Sequence, residues 1–102
     1  MAIAAVSIAP VGSGTSVSQY VAAALRVVRA QERVAYRLDP MFTTLEGDLA
    51  AIFALIQEME EAVFALGAER VGTVIKIDDR RDRVVEMGHK VASVERLLAP
   101  DS

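Results

Sequence analysis

Tyr36-Arg37-Leu38-Asp39-Pro40-Met41-Phe42-Thr43-Thr44-Leu45-Glu46-Gly47-Asp48 is the stretch whose reading decides the fold. Two short apolar runs flank Asp39-Pro40. Proline presets φ and an aspartate side chain bonds the backbone just ahead, so the pair reads as a tight turn. The expectation is a strand over 34–38, a turn, and a second strand over 41–45. A carboxylate then stands at a strand-to-helix junction. The second strand delivers the hydroxyls of Thr43 and Thr44 and the carboxylate of Glu46 to its exit, where a small polar ligand can be held. On local sequence alone, Asp48 as the cap of the next helix and Glu46 in its first turn is the commoner use of such residues.

Upstream, residues 2–9 form a short apolar run with β-branched members, bounded by Pro10 and Gly12. That predicts a strand buried on both faces. Alternation sends Ala4, Val6 and Ile8 one way and Ile3, Ala5, Ser7 and Ala9 the other. Gly12-Ser13-Gly14 makes a loop, and Ser16 with Gln19 has capping-box spacing. Val17, Tyr20, Val21, Ala24, Leu25 and Val28 repeat at helical spacing, with Arg26, Arg29 and Glu32 facing water, which predicts a helix to about Gln31.

Downstream, a second helix begins near Asp48. Leu49, Ile52, Phe53, Ile56, Val63 and Leu66 trace its expected buried stripe, and Gly67 suits a left-handed C-cap. Residues 70–78 read as a fourth strand, with Val71, Thr73, Ile75 and Ile77 alternating against Gly72, Val74, Lys76 and Asp78. A third amphipathic helix carries Val84, Met87, Val91, Val94 and Leu98 and stops at Pro100. No repeat or linker is visible. The order strand, helix, strand, strand, helix, strand is the split βαβ pattern, so the expected fold is α+β, a ferredoxin-like βαββαβ sandwich with an additional C-terminal helix, over one domain, 1–102. Two helices cover one face of such a sheet. The other face is also apolar in pattern, which calls for a third helix or a second subunit, and homo-oligomerisation is expected.

Composition narrows the function. The 102 residues are 53% hydrophobic and only 5% aromatic, with a formal net charge of −3. That balance argues against nucleic acid, which needs a basic face, and the first and fourth strands lack the aromatics that RNA readers of this fold use for stacking. Cysteine is absent, which removes thiol chemistry and disulfides. The opening run has no basic n-region and no run reaches transmembrane length, so a cytoplasmic protein with no membrane partner is the expectation. Gly12 and Gly14 lack both the third glycine of a dinucleotide fingerprint, Val17 standing in its place, and a P-loop lysine. They read as backbone-geometry glycines. His89 is the lone histidine and reads as a surface or interface residue. Asp78, Asp79 and Asp82 are interleaved with Arg80, Arg81 and Arg83, which favours ion pairing over cation binding. Nothing here supports catalysis, metal binding or a resident cofactor.

These segments together resemble the small thiamine-binding protein family. Ser7-Ile8-Ala9-Pro10 with Gly12, Gly14 and 16–22 is similar to its first block, and 36–48 to its second. Residues 67–71 leading to 75–82 are similar to its third, and 90–94 to its close. The resemblance implies a ferredoxin-like fold assembled as a homotetramer of sheet-packed dimers. It implies non-catalytic binding of thiamine or its hydroxymethylpyrimidine part, with no cofactor. By position it points to Thr43 and Glu46 as ligand residues, and Ser7 stands in its first block as a further candidate. Apart from the resemblance, a ring ligand wants a flat apolar neighbour, and Tyr36 and Phe42 are the aromatics nearest in sequence, Phe42 standing where the family has a smaller residue. A carboxyl group can bond the ring nitrogen and amine of an aminopyrimidine. Alternation puts Thr43 and Glu46 on opposite faces of a regular strand, so both reach one ligand only if the strand bulges, ends early, or a second subunit contributes. The alternative function is a structural or regulatory homo-oligomeric assembly protein without a working small-molecule site.

Overall fold

The computed structural model describes residues 1–82 and 86–99. Its elements are β1 (Ala2–Pro10), α1 (Ser18–Arg29), β2 (Ala35–Leu38), β3 (Thr43–Gly47), α2 (Leu49–Ala65), β4 (Val71–Asp79) and α3 (Met87–Leu98). The strands form one sheet in the order β2-β3-β1-β4. Every neighbouring pair is antiparallel. This is the ferredoxin-like α+β arrangement, with the C-terminal helix added.

Strand alternation sorts the two faces as expected. Ala2, Ala4, Val6, Ile8 and Pro10 are buried, while Ile3, Ala5, Ser7 and Ala9 between them are half-buried. The register carries this split to β3, where Ala4 meets Leu45 and Ala5 meets Thr44. At the sheet edges it fades, β2 being exposed throughout and β4 exposed beyond Thr73, Ile77 opposite Ala4 included. Helices α1 and α2 lie on the first face. Val28, Leu45, Ile52, Leu55, Met59 and Val63 are fully buried between them and the sheet, each contributing about 1.5–3 kcal/mol of apolar transfer energy.

Several local expectations change. Helix α1 starts at Ser18 with Val17 as its N-cap and no side chain capping it; the Val17 carbonyl takes the Tyr20 and Val21 N–H groups instead. Ser16 therefore does not cap. The helix ends at Arg29, because the Gln31 side chain takes over the connection to β2. Its amide donates to the carbonyls of Val28 and Val34, and its oxygen accepts the Val34 N–H at 2.8 Å. Asp48 stands at the N-cap of α2 but its carboxylate makes no cap bond. Glu46 belongs to β3, not to the helix. The buried stripe of α2 is Ile52, Leu55, Ile56, Met59 and Val63, whereas Phe53 and Leu66 are exposed. Residues 49–56 of that helix are apolar on every side, so periodicity alone could not select Leu55 over Phe53 there. Gly67 follows the helix at φ 101°, and Gly12 and Gly14 take φ 81° and 95°, conformations that favour glycine.

Helix α3 has no buried residue. Its first turn is tethered to the uncovered face of the sheet by two contacts. The Met87 N–H donates to Glu46 Oε2 at 3.0 Å, and Lys90 pairs with Asp78. The radius of gyration is 15.5 Å, above the ~13 Å of a compact chain of this length, because α3 stands away from the body. Val84 falls outside the described residues.

Candidate functional site

The β1–β3 pairing stops at Val6 opposite Thr43, although β1 continues to Pro10. From that point the chain of β3 turns away into Asp39-Pro40-Met41-Phe42, and the Asp39 N–H donates to the Phe42 carbonyl at 3.0 Å. A gap opens between the free stretch of β1, the turn and α1. It holds a cavity of about 110 Å³ with Val6, Ile8, Leu25 and Met59 among its apolar walls. At roughly 10–15 Å³ per water-sized atom, that is room for one substituted six-membered ring.

Two kinds of polar group meet there. Thr43 lines the cavity and is only 5% exposed, and its hydroxyl has no hydrogen-bond partner among the described residues. Beyond Val6, alternate residues of 7–10 turn main-chain N–H and C=O groups toward the side where β3 has departed. Ser7 enters the site this way: its main chain borders the cavity, while alternation puts its side chain on the other face. Phe42 closes the cavity at the turn. Tyr36 lines the adjoining groove between α1 and β2, whose walls include Val21, Leu25, Leu38, Arg26 and Arg29. Val21, Leu25 and Leu38 are shared by cavity and groove.

Glu46 lies elsewhere. β3 is regular through Gly47, and Glu46 sits between Ala35 and Ile3 on the uncovered face. Within one protomer the sheet separates it from Thr43. Its neighbours form two cross-strand rows: Ala35, Glu46, Ile3 and Asp78, then Arg37, Thr44, Ala5 and Lys76. Lys90, by hydrogen bond and charge, holds the Asp78 carboxyl below its usual value. Asp39 accepts a bond from Thr44 Oγ1 at 3.3 Å and lies 3.5 Å from Arg37 Nε. At the end of β4, Arg80 pairs with Asp82 and Arg81 with Asp79, as the interleaved charges predicted. Sequence reasoning missed Arg26 and Arg29, which it sent to water. They flank the apolar stripe of α1 at i, i+3, and only the position of β2 makes that flank one wall of a groove.

The thiamine-binding protein family matches residues 4–95. YqgV of Bacillus subtilis is 45% identical over 98% of this chain and 100% of its own length. A Mycobacterium tuberculosis relative is 44% identical over 97% of each. The chain belongs to the thiamine-binding protein family. Among solved structures, a hypothetical protein of Methanocaldococcus jannaschii superposes with a TM-score of 0.84 at 34% identity, covering 92% of this chain and 95% of that one. A Thermotoga maritima protein described as a candidate for thiamine biosynthesis or salvage gives 0.77 at 17% identity, over 91% and 97%, a likeness of fold alone. Family membership points to a binding role toward a small molecule and names no reaction. No described helix is long and apolar enough to cross a membrane.

Proposed function

We propose that this protein binds thiamine, or its hydroxymethylpyrimidine moiety, without transforming it, and serves as a cytoplasmic carrier or sensor. The observation that carries this reading is the ring-sized cavity where β3 leaves β1. An aminopyrimidine presents a donor and an acceptor side by side, and a strand edge offers the complementary pair. The Thr43 hydroxyl supplies a further partner, and Phe42 a flat apolar neighbour. Tyr36 borders the groove into which the second ring extends. Glu46 faces the other way and reaches this ligand only across an interface between copies.

Assembly forms part of the proposal. The uncovered sheet face and the unburied apolar residues of α3, Leu97 at 83% exposure among them, favour a homo-oligomer, with the tetramer as the expected state. The same observation favours the second reading, an assembly protein without a working small-molecule site. Calorimetric titration with thiamine and with hydroxymethylpyrimidine decides between them. Saturable binding of either supports the first reading, and heat changes absent for both leave the second.

A further inference from the structure

The groove that leaves the cavity has a charge of its own. Its far wall carries Arg26 and Arg29, both exposed and both in the last turn of α1. Neither guanidinium has an ion-pair or hydrogen-bond partner among the described residues. Arg33 and Arg37, by contrast, are paired with Glu58 and Asp39. From Val21, at the cavity, to Arg29 the helix climbs roughly 12 Å at 1.5 Å per residue. Tyr36, Leu38 and Val21 line the way. A molecule seated by one ring in the cavity would thus lay its remainder along an apolar wall and end at two guanidinium groups.

This runs against the net charge of −3. A whole-chain acidic balance suits a cation, and bare thiamine carries a cationic second ring. The one carboxylate lining this groove, Asp39, is already paired with Arg37, so that ring would approach the two arginines without a free anion beside it, an arrangement that costs affinity unless the ligand brings negative charge. A phosphate supplies it. Guanidinium groups bond phosphate oxygens in forked pairs, and two at i, i+3 on one helix can hold a single terminal phosphate or diphosphate. The bland role for both arginines is to complement the C-terminal end of the helix. It explains their presence in the last turn, but not their convergence on a groove that begins at a ring-sized cavity.

We infer that the ligand is a phosphorylated amino-aromatic, its ring in the Thr43 cavity and its phosphate on Arg26 and Arg29. This inference rests on the binding function proposed above. The shared chemistry is a phosphate ester on an arm beyond the ring, and thiamine phosphates and phosphorylated hydroxymethylpyrimidine are its two sources.

The test is calorimetry on the intact protein with thiamine, thiamine monophosphate, thiamine diphosphate, hydroxymethylpyrimidine and its phosphate. Each is titrated into wild type, R26Q, R29Q and the double variant. Both arginines are exposed, so the variants should fold, which circular dichroism checks; inorganic pyrophosphate competing against the bound ligand reads the same contact in wild type alone. At least one phosphorylated ligand should bind about tenfold or more tighter than its unphosphorylated form, the scale of one charge-assisted contact. That advantage should shrink with added salt and vanish in the double variant, in which bare thiamine, relieved of two facing cations, should bind at least as tightly as it does to wild type. The longer thiamine arm and the shorter pyrimidine arm are told apart by which pair shows the advantage. Thiamine binding without any phosphate preference, or a preference surviving in the double variant, overturns the inference and leaves the proposed function standing. Binding of none of the five overturns both.

Discussion

The two faces of this one sheet share a strand pattern and differ in almost everything else. On the helix side Ala4 and Leu45 are 0% exposed; on the other side Val74, paired with Ser7 three residues along the same β1, is 59% exposed. The difference comes from the connections. Both β-to-β crossovers that carry a helix pass over the same face, as right-handed crossovers must. The covered face therefore has its register fixed by burial. The uncovered face has, beyond Ile3, only small residues down its centre, with two charged rows and the tethered first turn of α3. Apolar alternation says that a face wants cover and not whether the chain itself provides it.

The largest effect that would break this contrast is a truncation on each side. Leu45→Ala should cost about 2–5 kcal/mol in urea denaturation, as buried leucines do. Val74→Ala should stay within about 0.5 kcal/mol, as exposed sites do. If Val74→Ala instead destabilises strongly and lowers the mass seen in sedimentation, the uncovered face is buried between copies in solution. The two covers then differ in their source and not in their weight.

The connections sharpen the comparison next. Gln31 satisfies three main-chain groups on the way from α1 to β2, so Gln31→Ala should lose about 1–3 kcal/mol, the cost of leaving such groups without partners. Lys90→Ala on the opposite side removes an exposed tether of α3. Global unfolding should then be unchanged and only exchange protection of the α3 amides lowered. A global loss there would show that α3 packs more firmly than a tether allows.

Thr43 and Glu46 test which face carries the ligand. Thr43→Val keeps the shape of the cavity and removes its hydroxyl, so thiamine affinity should fall by about two- to tenfold, the range of one neutral hydrogen bond. Glu46→Gln keeps an acceptor for the Met87 N–H and should leave affinity within about twofold. The reverse outcome would move the ligand to the uncovered face.

The smallest effect is one of pH. Because Lys90 holds the Asp78 carboxyl below its ordinary value, the folded state takes up that proton less readily than the unfolded chain. The tether is therefore fully present above the ordinary aspartate range and is lost as acidification passes through the lowered value. Chemical shifts of the Met87 and Lys90 amides, followed downward from neutral pH, should report release of α3 there and no change above it.

Much of this was legible in the chain. The Asp39-Pro40 turn, the alternation of β1 and β4, and glycine at position 67 each rest on backbone or side-chain stereochemistry that acts over a few residues. They identified the element order, and through it the ferredoxin-like fold. The same alternation placed Thr43 and Glu46 on opposite faces before any coordinates. Periodicity failed where its signal vanishes. The first two turns of α2 are apolar all round, so only packing against the sheet selected Leu55 over Phe53. The cap on α1 went to main-chain bonds, and the end of that helix to Gln31, because tertiary contacts satisfied those groups by other means. The site belongs most to the tertiary level. Thr43, Phe42 and Ser7 were named from the sequence, but their meeting in a cavity depends on β1 outrunning β3. The convergence of Tyr36, Arg26 and Arg29 on one groove depends on β2 lying beside α1. Local chemistry fixes what each segment becomes; which distant segments share a space is decided when apolar faces seek cover together.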